Sequence, residues 1–68
     1  MGLTNELAHY RKAVGLTQAQ LADAVGVSRK TINTVENNVF IPSTLLALKL
    51  AHRLGVSVHD LFMLETED

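Results

Sequence analysis

The 68-residue chain contains no cysteine and no tryptophan, and only one proline and four glycines. Without cysteine there is neither a disulfide nor a thiolate zinc site to staple a small domain. A chain this short must then draw its stability from dense aliphatic packing or from association. Aromatic residues are only 4% of the sequence while 47% is hydrophobic, so the packing has to come from Leu, Val, Ile and Ala. No apolar run approaches the ~18 residues a membrane helix needs. The N-terminus lacks the basic-then-apolar layout of a secretory signal. A cytoplasmic protein with no membrane partner is therefore expected. Chemistry is equally sparse. His9, His52 and His59 stand at no i, i+4 spacing, so they read as surface histidines rather than metal ligands. Neither a glycine-rich phosphate loop nor a nucleophile elbow is present. No catalytic residue, metal or cofactor is expected, and so short a chain offers little room for an enzyme's pocket.

The net charge of −1 argues against a polyanionic partner until its distribution is considered. All six basic residues lie between Arg11 and Arg53, where only Asp23 and Glu36 oppose them, leaving a local excess of four positive charges. Glu65, Glu67 and Asp68 form an acidic tail. A one-sided distribution can attract a polyanion that the total charge would repel.

The spacing of apolar residues predicts five helices and no strand in one domain, residues 1–68. The first is placed over 4–14, where Leu3, Leu7, Tyr10 and Val14 form a stripe ended by Gly15. The second covers 18–25; Thr17 with Gln20 makes a capping box, Leu21, Ala22 and Val25 face inward, and Gly26 ends it. The third covers 29–36 after the cap Ser28, with Ile32 and Val35 inward. Asn37 and Asn38 stop it, because asparagine tolerates the left-handed conformation of a helix exit. After the loop Val39-Phe40-Ile41-Pro42, a fourth helix runs over 44–54 from Ser43 to Gly55. A last short helix follows Ser57 to about Met63.

Residues 18–37 carry the functional signal. Two helices joined by a short glycine-containing turn form a helix-turn-helix unit. Close approach of the two helices calls for a small residue, and Ala22 supplies it. The turn calls for a positive φ, and Gly26 supplies that. Leu21, Val25, Val27, Ile32 and Val35 can lock the interhelical angle. Opposite this apolar side, Arg29, Lys30, Asn33, Thr34 and Asn37 make one polar stripe with two positive charges and no acid. Arg29 and Lys30 occupy the first turn, where the helix dipole disfavours cations by ~0.3–1 kcal/mol each. A local rule broken at one exposed place points to a binding role.

Two segments, LTQAQLADAVGVSRKTINTVEN (16–37) and PSTLLALKLAHRLGVSVHDLF (42–62), resemble the Xre/Cro-type helix-turn-helix family of bacterial and phage transcriptional regulators. The likeness extends over residues 3–64. It implies a compact all-α five-helix bundle of the lambda-repressor-like type, and double-stranded DNA as partner. It further implies that the third helix enters the major groove with its N-terminal residues at base edges, which here are Ser28, Arg29, Lys30, Asn33 and Thr34. Their chemistry suits this: Arg and Lys donate to guanine, Asn pairs with adenine, and Thr meets the thymine methyl. Phosphate contacts fall to Thr17 and Gln18 at the start of the second helix, where free N–H groups favour anions, and to Asn37 and Asn38. The family often has Gly-Lys after this Asn; Asn38-Val39 stand here instead and remove a phosphate-binding charge. The family's matching pair implies a partly buried ion pair between Arg11 and Glu36.

An apolar surplus remains. Phe40, Ile41, Leu45, Met63 and Leu64 exceed what one small core needs, and clustered exposed apolar groups mark interfaces. They are assigned to a homodimer, which would set two reading helices about 34 Å apart on a pseudo-palindromic site. Two alternatives use the same surplus: the N-terminal DNA-binding piece of a longer regulator with a ligand-sensing effector domain, and a protein-interaction module without DNA binding.

Overall fold

A computed structural model describes residues 2–65; Glu67 and Asp68 of the acidic tail lie outside the described residues. The element order is β1 (Leu3–Asn5), α1 (Leu7–Ala13), α2 (Gln18–Val25), α3 (Arg29–Glu36), α4 (Thr44–Leu54), α5 (Val58–Leu61) and β2 (Phe62–Leu64). Among the described residues there are five helices, but the expectation of an all-α chain without strands is corrected. β1 and β2 form an antiparallel pair in which Leu3, Thr4 and Asn5 face Leu64, Met63 and Phe62. The first helix accordingly starts at Leu7 rather than residue 4, and the last ends at Leu61 rather than Met63. Backbone bonds extend the ladder at both ends, from Glu6 N to Leu61 O and from Glu65 N to Gly2 O, each 2.8 Å. A lone two-stranded ribbon is marginal in water. This one is held down because Leu3 packs on the core and Phe62 is buried in it.

The middle three helices begin where their side chains cap them. Thr17 Oγ1 accepts from Gln20 N–H while Gln20 Oε1 accepts from Thr17 N–H, completing the capping box. Ser28 and Ser43 accept from the third residue of α3 and α4. Each such cap contributes about 1 kcal/mol. Four exits reach a left-handed residue at the end of the helix, at the C-cap itself in α2 and α4 and one residue past it in α1 and α3. Gly15, Gly26 and Gly55 serve α1, α2 and α4, whereas α3 uses Asn38 at φ 60°.

The core is aliphatic. Leu7, Leu21, Ile32, Leu50 and Leu61 are fully buried, one from each helix, and Val35 and Phe62 join them. Val14, expected on the inner stripe of α1, is instead the exposed C-cap of that helix. Among the described residues no helix is long and apolar enough to cross a membrane.

Candidate nucleic-acid interface

Helices α2 and α3 make the most extensive helix pair of the fold. Gly26, at φ 78°, turns the chain between them, and its N–H and that of Val27 close the α2 exit onto Asp23 O and Ala22 O. Leu21, Ala22 and Val25 from α2 and Ile32 and Val35 from α3 are buried together. With its apolar side consumed, α3 has one orientation, and the opposite edge is in water. Ser28, Arg29, Lys30, Asn33 and Asn37 are exposed, and Thr34 is half-buried.

The five residues assigned to base edges do not have equal freedom. Ser28 Oγ accepts from Thr31 N–H at 3.2 Å and lies 3.0 Å from Thr31 Oγ1. Thr34 Oγ1 donates to Thr31 O at 2.9 Å. Both hydroxyls are thus occupied within α3, although Thr34 keeps its methyl. Among the described residues Arg29 and Lys30 enter no ion pair, and the first turn of α3 contains no acid. Together with Asn33 they leave their polar groups for an incoming molecule.

The one acid of α3 is neutralised inside the protein. Arg11 Nε donates to Glu36 Oε2 at 2.6 Å, and a second guanidinium nitrogen donates to Oε1 at 3.3 Å. Both side chains are about nine-tenths buried, so the pair adds no charge to the surface. The third guanidinium nitrogen donates to Leu16 O at 2.8 Å, which ties in the loop before α2. Removing Arg11 and Glu36 from the surface balance leaves Lys12, Arg29, Lys30, Lys49 and Arg53 against Asp23 over residues 11–53.

The phosphate candidates fall at two places. Gln18 is half-buried, and its Nε2 donates to Glu36 Oε1 at 2.9 Å, a bond that neither a solvated side chain nor a bare phosphate grip anticipates. The Thr17 hydroxyl serves Gln20 N–H. The first N–H groups of a helix have no intrahelical acceptor, so those of Gln18 and Ala19 remain for an anion. At the exit of α3, Asn37 Nδ2 donates to Asn33 O at 2.8 Å and Asn38 Oδ1 accepts from Asn5 Nδ2 at 2.8 Å. Asn5 was not singled out in the sequence. Its signal is an asparagine two residues ahead of the first helical residue, and Asn5 Oδ1 does accept from Leu7 N–H at 3.0 Å. The apolar surplus is on the surface: Ile41 is 71% exposed, Leu64 67%, Leu45 63%, Phe40 48% and Met63 38%.

The helix-turn-helix family matches residues 7–61. The uncharacterized HTH-type transcriptional regulator MJ0272 of Methanocaldococcus jannaschii is 41% identical over 66 residues, which are 97% of this chain and all of that protein. The cryptic phage CTXphi transcriptional repressor RstR of Vibrio cholerae is 34% identical over 61 residues, 90% of this chain and 54% of the repressor. Among solved structures, SinR, the master regulator for biofilm formation, in complex with DNA superposes with a TM-score of 0.72 at 33% identity, over 78% of this chain and 86% of that one.

Proposed function

Because the chain belongs to the helix-turn-helix family, we propose that it is a sequence-specific transcriptional regulator, a repressor, that reads duplex DNA with α3 in the major groove. Residues 1–68 act as one domain, with residues 18–37 as the reading unit. The observation that carries this reading is the exposed edge of α3: two cations that enter no ion pair among the described residues and an asparagine, with the helix's one acid turned inward onto Arg11. SinR, a protein of the same fold, has been solved on DNA, and RstR is named a repressor.

Arg29, Lys30 and Asn33 are the base readers by hydrogen bond. Thr34 offers a methyl to thymine, and Ser28 serves chiefly as the cap that sets where α3 begins. The N-terminus of α2, at Thr17 and Gln18, and the exit at Asn37 and Asn38 hold phosphates on either side. Asn33 and Arg29 lie four residues apart, on adjacent turns of one helical edge, so they address neighbouring base pairs. A homodimer through Phe40, Ile41, Leu45, Met63 and Leu64 brings two such edges to a pseudo-palindromic site about 34 Å apart. Work on duplex DNA fits a cytoplasmic site, and no helix among the described residues is long and apolar enough to cross a membrane. The test is binding to a palindromic duplex recovered by selection. Arg29→Ala weakens binding by about ten- to a hundredfold while the circular dichroism spectrum stays that of the wild type; unchanged binding contradicts the assignment.

A second reading has one observation in its favour. The chain spans 54% of RstR, so its exposed apolar groups could instead dock a further domain that responds to an effector. Sedimentation separates the two: a self-associating chain supports the homodimer, and a monomer with an adhesive face supports the docked domain.

A further inference from the structure

We propose that Asn5 is a positioning residue for the reading helix, fastening the exit of α3 to the β1–β2 ribbon; the inference rests on the DNA reading above. One side chain joins three elements. Asn5 Oδ1 accepts from Leu7 N–H at 3.0 Å, which starts α1. Its Nδ2 donates to Val35 O at 2.9 Å and to Asn38 Oδ1 at 2.8 Å, so both amide hydrogens go to the end of α3. The Asn5 backbone is held in turn by its partner Phe62 in the sheet, and Phe62 is buried in the core. The amide is the group this place requires: an acceptor toward α1 and two donors toward α3, at one length.

Asn38 supplies the independent observation. The other three helix exits of this kind use glycine at the left-handed position, and α3 uses asparagine. An L side chain is disfavoured there, so glycine would suit the backbone better. What asparagine adds is the Oδ1 that receives Asn5. Val35 O accepts from Asn38 N–H at 3.1 Å as well as from Asn5, and Thr34 O accepts from both Val39 and Phe40 N–H. The whole turn from Thr34 to Phe40 is therefore braced from one side by a residue about thirty positions away in sequence. That turn holds the Asn37 and Asn38 phosphate candidates, and it fixes how far α3 can tilt when its N-terminal end is in a groove.

The experiment uses Asn5→Ser, which keeps a hydroxyl able to cap α1 but cannot reach α3. Two quantities are read, affinity for a duplex recovered by selection and amide hydrogen exchange of the free protein. The variant is expected to bind about tenfold more weakly, the scale of losing the part-buried bond to Val35 O and the exposed one to Asn38 Oδ1. Exchange at Asn38, Val39 and Phe40 is expected to rise by about tenfold while that of α2 and α4 stays at wild-type rates. Exchange rising together in every helix means a general loss of stability, and affinity within twofold of wild type means that the exit needs no brace; either overturns the proposal. Should Asn5→Ser alone fold poorly, Asn38→Gly, which relieves the left-handed residue, carries the test. The affinity loss from Asn5→Ser should shrink to about twofold in that background, and full additivity overturns the link. A wild-type protein that selects no duplex contradicts the DNA reading alone, and the exchange pattern still decides the case for Asn5.

Discussion

The two ends of α3 are built in opposite ways. Its first turn is nearly unencumbered: Arg29 and Lys30 are exposed, and the side-chain bonds there, from Ser28 and Thr34 to Thr31, stay within the helix and its cap. Its last turn is fastened from three directions, by Arg11 of α1, Gln18 of α2 and Asn5 of β1. A rod clamped at one end and free at the other presents its free end at a defined angle. On the proposed reading, the side chains that adapt to base edges are at the free end. Those that only set the angle are at the clamped end, where burial makes their hydrogen bonds count.

The comparison can be broken first at the clamp. Glu36→Ala strips the buried Arg11 guanidinium of its counter-charge and leaves it the bond to Leu16 O. The expected loss is about 3–5 kcal/mol of stability, the cost of stranding one partner of a buried pair. Chemical denaturation measures it, and a loss below about 1 kcal/mol, the scale of an exposed pair, would show that the clamp is not buried in solution. The opposite result belongs to the free end. Arg29→Ala should cost about 1–3 kcal/mol in binding to the selected duplex and relax the preference at one base position. The same variant should move stability by no more than about 0.5 kcal/mol, so titration and thermal melting of one sample test both halves of the contrast.

Ser28→Ala sharpens the boundary between the two roles. Removal of the cap is expected to lower stability by about 1 kcal/mol. Specificity should stay as in the wild type, because the Ser28 hydroxyl already serves Thr31; a changed base preference in a repeat selection would make Ser28 a reader. The smallest effect on the fold is expected from Ile41→Lys. At 71% exposure the side chain contributes little to the monomer, and stability should change by about 0.5 kcal/mol or less. Sedimentation should nonetheless show the proposed dimer weakened; an unchanged dimer would place the interface elsewhere.

How far each of these features was legible in the sequence follows the range of the interaction behind it. The bounds of α2, α3 and α4 agree with the expected ones because Thr17, Ser28 and Ser43 cap within three residues of themselves. Asn38 was legible as a helix exit for the same local reason. The two strands were not, since each is three residues long and its partner lies at the other end of the chain. Leu3 in particular satisfies a helical stripe and a strand equally well. The Gln18–Glu36 and Asn5–Val35 bonds depend on how separate elements come together, and no spacing rule encodes them.

The most direct measurement is selection from a random duplex pool by the wild-type chain, repeated with Arg29→Ala. At about 50 mM salt, where phosphate attraction is strong, the wild type should enrich a two-fold symmetric sequence. Arg29→Ala should lose one base preference in each half-site and leave the rest. Retention of DNA with no sequence enriched would mean that the free end of α3 grips phosphates without reading bases, and would contradict the central claim.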